Sequence, residues 1–306
     1  MLNPRQIEAF RAVIVMGSVT GAAQALNVTQ PAVTRLVHDF QRSLGMPLFV
    51  RRGSRLVPTE EALALYREVE RQFVGLDGIA RAARDIREGR VGTLRIAALP
   101  AFNVGFMPRA VGAFMAERPQ LDVALYGSIS SQVAEWVASG FCEVGFVQAP
   151  IESGHLDIEP LISAPAVAVL PAWHRLAART VLRPEDFAGE QFVSLENSTQ
   201  LRYRTDAVFA QARVSRHTRA ETPLSMIACA MVAAGAGLSI VDPFTAAEYD
   251  GRGVAVRAFR PDVHLDISCI WSAQRSRSGI ARQFVEFIAG RLAPFRERSG
   301  EGDAPA

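Results

Sequence analysis

Gln30, Thr34, Arg35 and His38 fall on one side of a helix near the start of the chain, introduced by Thr29 and Pro31. Their chemistry suits the edges of base pairs. A glutamine amide offers a donor and an acceptor that match adenine, and an arginine fork matches guanine. Shortly after come Arg51, Arg52 and Arg55 around Gly53, cations placed for phosphate or minor-groove contact. Each residue alone reads as a solvated helix face or a charged turn. Their ordered occurrence within 58 residues points to a surface that reads DNA. A second set lies further along: Pro100, Ala101, Ser128, Ser130, Ser131, Gln148, Glu196, Asn197, Ser198, Thr199, Arg202, Thr222 and Asp242. Hydroxyls and backbone N–H groups at helix starts suit a carboxylate. Arg202 would add a charge-assisted pair, and Asp242 or Glu196 would hold an ammonium. For any one of these, a helix cap is the simpler role.

The first set needs a rigid helical mount, and the local signals supply one. Asn3 caps a helix, Pro4 suits its first turn, and Ile7, Phe10, Val13 and Ile14 recur at helical period. Gly17 ends that helix and Ser18 caps a short one over Val19–Leu26, rich in alanine. After the turn Asn27-Val28-Thr29, a third helix carries the apolar stripe Val33, Leu36, Val37, Phe40 and Leu44, with the base-reading residues opposite. Gly45 stops it. Two helices joined by a tight turn, with a polar face on the second, describe a helix-turn-helix. Two short strands around Gly53 would form a wing. Thr59 then caps a helix with a nearly heptad stripe from Ala62 to Ile86, which needs a covering partner: a dimer seam, which predicts a dimerising linker, or else the protein's own body. The segment 88–92 marks a hinge.

The second set needs strand ends. From Thr93 the chain alternates strand and helix, giving a βαβαβ unit to Val147, a second set from about Ala166 to Val241, a strand at Leu265–Trp271 and a closing helix at Gly279–Arg296. Open α/β sheets bind ligands beyond the carboxyl ends of their strands. The expected organisation is a DNA-binding head at 1–58, a linker at 59–90 and a ligand-binding body at 91–299. Its first lobe takes 91–163 and 265–299, its second 164–264, and 300–306 form a flexible tail.

Composition narrows the function. The 306 residues carry a net charge of +2 and are 49% hydrophobic, a soluble globular composition of about two domains. All 33 basic residues are arginine, which reflects base composition of the genome more simply than function. The charge is uneven: residues 1–58 hold +5, residues 59–90 hold −1 and residues 91–306 hold −2. A basic head on a mildly acidic body fits a module that meets a polyanion. Cys142, Cys229 and Cys269 form no CxxC pair, and the five histidines show no ligand spacing, so no metal is expected. No GxSxG, phosphate loop, HExxH or post-strand GxGxxG occurs, and no cofactor or enzymatic activity is expected. The start lacks the pattern of a signal peptide and no apolar run spans a bilayer, so a cytoplasmic protein is expected, not a secreted solute-binding protein.

The run Ala22-Ala23-Gln24-Ala25-Leu26-Asn27-Val28-Thr29-Gln30-Pro31-Ala32-Val33-Thr34-Arg35, followed by Leu44-Gly45 and Leu48-Phe49-Val50-Arg51-Arg52, resembles the LysR-type transcriptional regulators. The resemblance implies a winged helix-turn-helix and a two-lobed, periplasmic-binding-protein-like effector domain. It implies a linker helix that pairs two heads on double-stranded DNA, a homodimer assembling into a homotetramer, and a small-molecule effector. Gln30, Thr34 and Arg35 would meet the major groove, and Arg51 and Arg52 the flanking backbone. The family commonly has serine at Thr34, and a hydroxyl in the loop that here offers Pro100 and Ala101. Within the family the chain is similar to regulators of opine and basic amino-acid metabolism, which implies an amino-acid-like effector or a small carboxylate.

Overall fold

The computed structural model of the chain describes residues 3–52, 55–66, 68–70, 73, 93–151, 154–197 and 199–296. Contacts divide it into two compact units, Met1–Arg84 and Asp85–Ala306.

In the first unit three helices follow their local signals: α1 (Pro4–Met16), α2 (Val19–Ala25) and α3 (Gln30–Leu44). Asn3 Oδ1 accepts from the Arg5 N–H and Ser18 Oγ from the Gly21 N–H, each at 3.0 Å. Gly17 and Gly45 take φ of +64° and +68°, the left-handed stop that glycine adopts without strain. Buried Ala22 and Ala23 let α2 pack closely with Ala9, Val13, Val33 and Val37. Phe10 and Phe40 are fully buried beside Leu48, their ring centroids 5.4 Å apart. A side chain of that size stabilises by about 1.5–3 kcal/mol through burial alone. β1 (Phe49–Arg52) pairs antiparallel with β2 (Arg55–Pro58). The predicted wing is therefore present, and its turn at 53–54 lies outside the described residues.

Thr59 Oγ1 accepts from the Ala62 N–H at 3.1 Å and starts a helical stretch at residues 60–66 and 68–70. The start of its stripe, at residues 62–73, lies against the head itself. Ala62 and Val69 are buried with Phe10, Phe40 and Leu48, and Leu65, Tyr66 and Phe73 pack on the same cluster. Arg11 pairs with Glu70 and stacks 4.8 Å from the Phe73 ring centroid. The first turns of the stripe thus cover the head's own core. The rest of the predicted linker helix, its hinge and the predicted tail lie outside the described residues.

In the second unit β3 (Leu94–Ala98) lies between β4 (Val123–Gly127) and β5 (Val144–Gln148), all parallel. The connections are α4 (Pro100–Val104), α5 (Phe106–Ala116) and α6 (Ser130–Ala138). The chain adds β6 (Leu156–Pro165) and leaves the sheet. It builds β7 (Val167–Pro171), β8 (Val181–Leu182), β9 (Gln191–Leu195), α7 (Gln200–Gln211), β10 (His217–Thr222), α8 (Ser225–Ala233), β11 (Ser239–Val241), α9 (Pro243–Tyr249) and β12 (Val254–Phe259). It then returns as β13 (His264–Ser272), which inserts antiparallel between β5 and β6 and gives the order β4-β3-β5-β13-β6. α10 (Gly279–Arg291) buries Phe284 and Ile288 in the core of that first sheet, and α11 (Ala293–Arg296) follows. A separate core holds the second sheet, β11-β7-β12-β8. The parallel pair β9-β10 joins it where the Val193 N–H donates to Leu238 O and the Leu238 N–H to Gln191 O, both at 2.8 Å. Gly237, at φ +147°, makes that approach possible, because a Cβ there would sit 2.4 Å from Gln191 O.

Five elements have no counterpart in the sequence reading: β6, β8, β12, α4 and α9. Pro160 and Pro165 argue against a strand, yet β6 is an edge strand whose register slips opposite Ile267 and Ser268. An edge tolerates the missing N–H groups. Among the described residues no helix is long and apolar enough to cross a membrane, and no cluster of three or more His, Cys, Asp or Glu is placed to hold a metal.

Candidate functional site

The outer face of α3 presents Gln30, Pro31, Thr34, Arg35 and His38, all exposed, with exposed Thr29 just before them. Burial of Val33, Val37 and Phe40 on the inner face fixes that orientation. Thr29 occupies the cap position without a side-chain cap bond, so its hydroxyl is not spent on the helix. Thr34 differs. Its Oγ1 donates to Gln30 O at 3.0 Å, so outward it offers a lone pair and a methyl. The Arg35 side chain is 87% exposed and its guanidinium lies 3.9 Å from Asp39. His38 Nδ1 is 3.3 Å from Arg42 Nη2. In the wing, Arg51 and Arg52 lie on β1 and Arg55 on β2, and the register sets Arg52 opposite Arg55. One positioning residue has no signal in the sequence. Gln41 Oε1 accepts from the Leu48 and Phe49 N–H groups at 2.7 and 3.0 Å, tying the end of α3 to the entry of β1.

In the second unit the predicted ligand residues divide into three groups. The first links the ends of the first sheet. Ser128 N–H donates to Ala98 O at 3.2 Å, and Ser130 Oγ accepts from the Gln148 N–H at 3.0 Å. Gln148 Nε2 then reaches Gln200 Oε1 on α7 at 3.4 Å. Pro100 and Ala101 are not in a loop, because they form the first turn of α4, where Thr245 Oγ1 approaches Ala101 O at 3.5 Å. Two residues on, Asn103 supplies what the sequence reading missed. Its amide fills the space over Gly127, with Nδ2 2.3 Å from where a Cβ would be, and its buried Oδ1 has no hydrogen-bond partner.

The second group is structural. Thr199 caps α7, accepting from the Arg202 N–H at 3.2 Å and donating to Glu196 O at 3.0 Å. The Arg202 guanidinium, only 15% exposed, binds both Asp206 oxygens through Nε at 2.8 Å. Its Nη1 holds Leu195 O at 2.6 Å and also Ser194 Oγ. The sequence reading had this arginine facing a ligand, but it pins the end of β9 to α7. Glu196 and Asn197 are exposed beside it, and Ser198 lies outside the described residues.

The third group is buried at the carboxyl ends of β10 and β11. Thr222 Oγ1 is buried without a partner. Asp242, 1% exposed, caps α9 through Oδ1, which accepts from the Thr245 N–H at 2.7 Å, and its Oδ2 is buried and unpaired. Burial is the largest influence on this carboxyl and pushes its pKa up, against the pull of the Thr245 N–H and the Ser225 hydroxyl. Cys229, one turn along α8 from Ser225, has its thiol pushed up to about 12 by burial and by the charge of Asp242. An uncompensated buried carboxylate is costly and gains strongly from a cation or a donor.

Comparison with known proteins gives consistent matches. Residues 4–63 match the bacterial regulatory helix-turn-helix proteins of the lysR family, and residues 87–293 match the LysR substrate binding domain. The chain is 38% identical over 296 residues to the octopine catabolism/uptake operon regulatory protein OccR of Rhizobium meliloti, covering 97% of each. It is 37% identical over 283 residues to the transcriptional activator protein LysR of Escherichia coli strain K12, covering 92% of this chain and 91% of that one. Among solved structures, full-length CbnR complexed with its target DNA shares the fold with a TM-score of 0.67 at 21% identity, over 94% of this chain and 99% of that one.

Proposed function

The chain belongs to the LysR family of DNA-binding transcriptional regulators, a family without enzymatic activity, and from that premise we propose how this member reads DNA and what it senses. Gln30, Arg35 and His38 on α3 read base edges in the major groove, with the methyl of Thr34 against a thymine and Thr29 and Pro31 at the phosphate rim. Arg51, Arg52 and Arg55 grip the flanking backbone. The protein acts in the cytoplasm as a homodimer through its linker helix and assembles further into a homotetramer, so that two recognition helices meet successive major grooves.

The effector is an amino-acid-like molecule. The observation that carries this is the buried Asp242, whose Oδ2 has no hydrogen-bond partner although Oδ1 is held by the Thr245 N–H, together with the unpartnered Thr222 Oγ1 at the end of β10. An effector ammonium would satisfy Asp242 Oδ2, the effector carboxylate would take the N–H and hydroxyl donors around Ser128 and Ser130, and Asn103 Oδ1 would accept from a donor on the effector. The relative OccR is named for octopine catabolism and uptake, and octopine is an amino-acid derivative. A ligand that binds one arrangement of the lobes better than another shifts the population and with it the spacing of the heads.

A thermal-shift screen of amino acids, each beside its des-amino acid, tests the reading. A hit raises Tm by mass action, and the des-amino partner should leave Tm unmoved. Equal shifts from both members of a pair would sink the amino-acid assignment. Footprints of the upstream DNA with and without the hit test the coupling, and identical footprints at saturation count against it.

A further inference from the structure

The wing is a two-stranded ribbon of β1 and β2. A ribbon of that size is marginal in water by itself, so its direction follows from how its root is held. At the root Phe49 stands opposite Pro58, which has no N–H to give to the ladder. The hold comes from outside the ribbon, and it converges on Leu48. On one side the half-buried Gln41 of α3 takes the Leu48 and Phe49 N–H groups on one oxygen, at 2.7 and 3.0 Å. On the other side the Thr59 N–H donates to Leu48 O at 3.0 Å, and Thr59 Oγ1 donates to Pro47 O at 3.0 Å. Leu48 itself is fully buried with Phe10 and Phe40.

The end of α3 does not need the Gln41 side chain. Gly45 closes the helix in the left-handed conformation, and the backbone N–H groups of Gly45 and Met46 donate to Arg42 O and Gln41 O, both at 3.3 Å. Cap geometry of this kind satisfies the last carbonyls by main chain alone. The Gln41 amide therefore serves the strand. Thr59 also starts the helical stretch that follows, so the reading helix, the wing and the chain leaving the head meet at one residue.

We propose that Gln41 is a positioning residue for DNA contact: it fixes the root of the wing to α3 and so sets the reach of Arg51, Arg52 and Arg55 to the phosphates while α3 reads the bases. The inference rests on the assignment of those three arginines to the DNA backbone. Arg52 lies three residues beyond Phe49, about 10 Å along the strand. A tilt of about 15° at the root carries its Cα by about 2.6 Å, further than a phosphate hydrogen bond stretches. Phosphate contacts position a protein on the duplex and base contacts specify the sequence. Loss of the Gln41 acceptor thus has its own signature, fewer phosphate contacts with discrimination kept.

Gln41→Leu removes the acceptor at similar size. The full-length chain is titrated by fluorescence anisotropy onto the duplex from upstream of its gene and onto a scrambled duplex of equal length, in a salt series well below the melting temperature. Each phosphate contact contributes about 0.9 to the slope of log affinity against log salt. Gln41→Leu should lower that slope by about 1–2 per head on both duplexes and leave the ratio of the two affinities within about twofold of wild type. Gln41→Glu keeps an acceptor oxygen at the same length and should keep the wild-type slope. In a chain carrying Arg51→Ala, Arg52→Ala and Arg55→Ala, adding Gln41→Leu should lower the slope no further. Should Gln41→Leu fail to fold, Gln41→Asn decides in its place, because it keeps an amide and shortens the reach by one methylene. An unchanged slope, whether or not Tm falls, makes Gln41 a structural fastener alone and overturns the proposal. A low slope in Gln41→Glu, or a further fall on top of the triple variant, overturns it as well. If the triple variant lowers the slope and Gln41→Leu does not, this proposal fails and the assignment of the wing stands; if the triple variant leaves the slope unchanged, both fail.

Discussion

Replacing Arg35 with alanine should leave the head folded and cost it most of its discrimination between DNA sequences. The side chain is 87% exposed, and its contact to Asp39 is an open pair at 3.9 Å. Such pairs contribute about 0–1 kcal/mol, so the melting temperature should scarcely move. On DNA, loss of a bidentate arginine–guanine contact costs about 1–3 kcal/mol, or roughly 5- to 160-fold in affinity for each recognition helix engaged. Fluorescence anisotropy with a duplex from upstream of the gene, beside a scrambled duplex of equal length, measures both terms. Titrations at several salt concentrations separate the charge effect. The scrambled duplex should lose only the small electrostatic share. Arg35→Lys sharpens the test, because it keeps the charge and removes the fork. Its scrambled-duplex affinity should match the wild type while its specific affinity falls with the alanine variant. Equal losses on both duplexes, with a salt slope reduced by about one, would assign Arg35 to a phosphate and refute its role in base reading.

Asp242→Asn should retain the cap of α9, because asparagine caps as well as aspartate, yet abolish the thermal shift given by an amino-acid hit. It should also change the pH profile. The native carboxyl titrates above its unfolded value of about 3.9, so the folded state binds the extra proton and the wild type loses stability as pH rises through that window. Thermal melts of the variant should lack this fall. Gly237→Ala should destabilise by about 1–3 kcal/mol or more in urea unfolding, since φ is +147° and its Cβ would meet Gln191 O at 2.4 Å. Cys229, with its thiol pushed up to about 12, should resist iodoacetamide in the native protein at mildly alkaline pH and react once urea exposes it, as mass spectrometry of the peptide would show.

The head was legible because its signals are local. Asn3, Ser18, Gly17 and Gly45 each act within one turn, and the stripe through Val33, Val37 and Phe40 assigns the reading face by elimination. What escaped depends on distant partners. Gln41 matters through Leu48 and Phe49, and Asn103 through the missing Cβ of Gly127, 24 residues away. Arg202 shows the converse. Asp206, one turn later, was in view, but Ser194 and Leu195 on β9 were not, so a structural fastener read as a ligand contact. β6 was hidden by Pro160 and Pro165, which only an edge position excuses. β12 was hidden by its setting, between Gly251, Gly253 and Pro261, where a short β-rich run passes for loop. The stripe after Thr59 allows two covering surfaces, a second chain or the head beneath it, and a period alone does not choose between them; its first turns lie on the head.

The order of the first sheet of the second unit has a consequence for synthesis. β13 lies between β5 and β6, so two strands made early stay without their shared neighbour until residues 264–272 leave the ribosome. The gap from Pro165 to His264 is 99 residues, which takes about 5–20 s at ~5–20 residues per second. During that interval the nascent chain displays two unpaired strand edges while the intervening sheet, contiguous from β7 to β12, closes on its own core. The newborn protein is therefore most prone to aggregate just before residues 264–272 are made, and a ribosome stalled short of residue 264 releases a product that chaperones must hold.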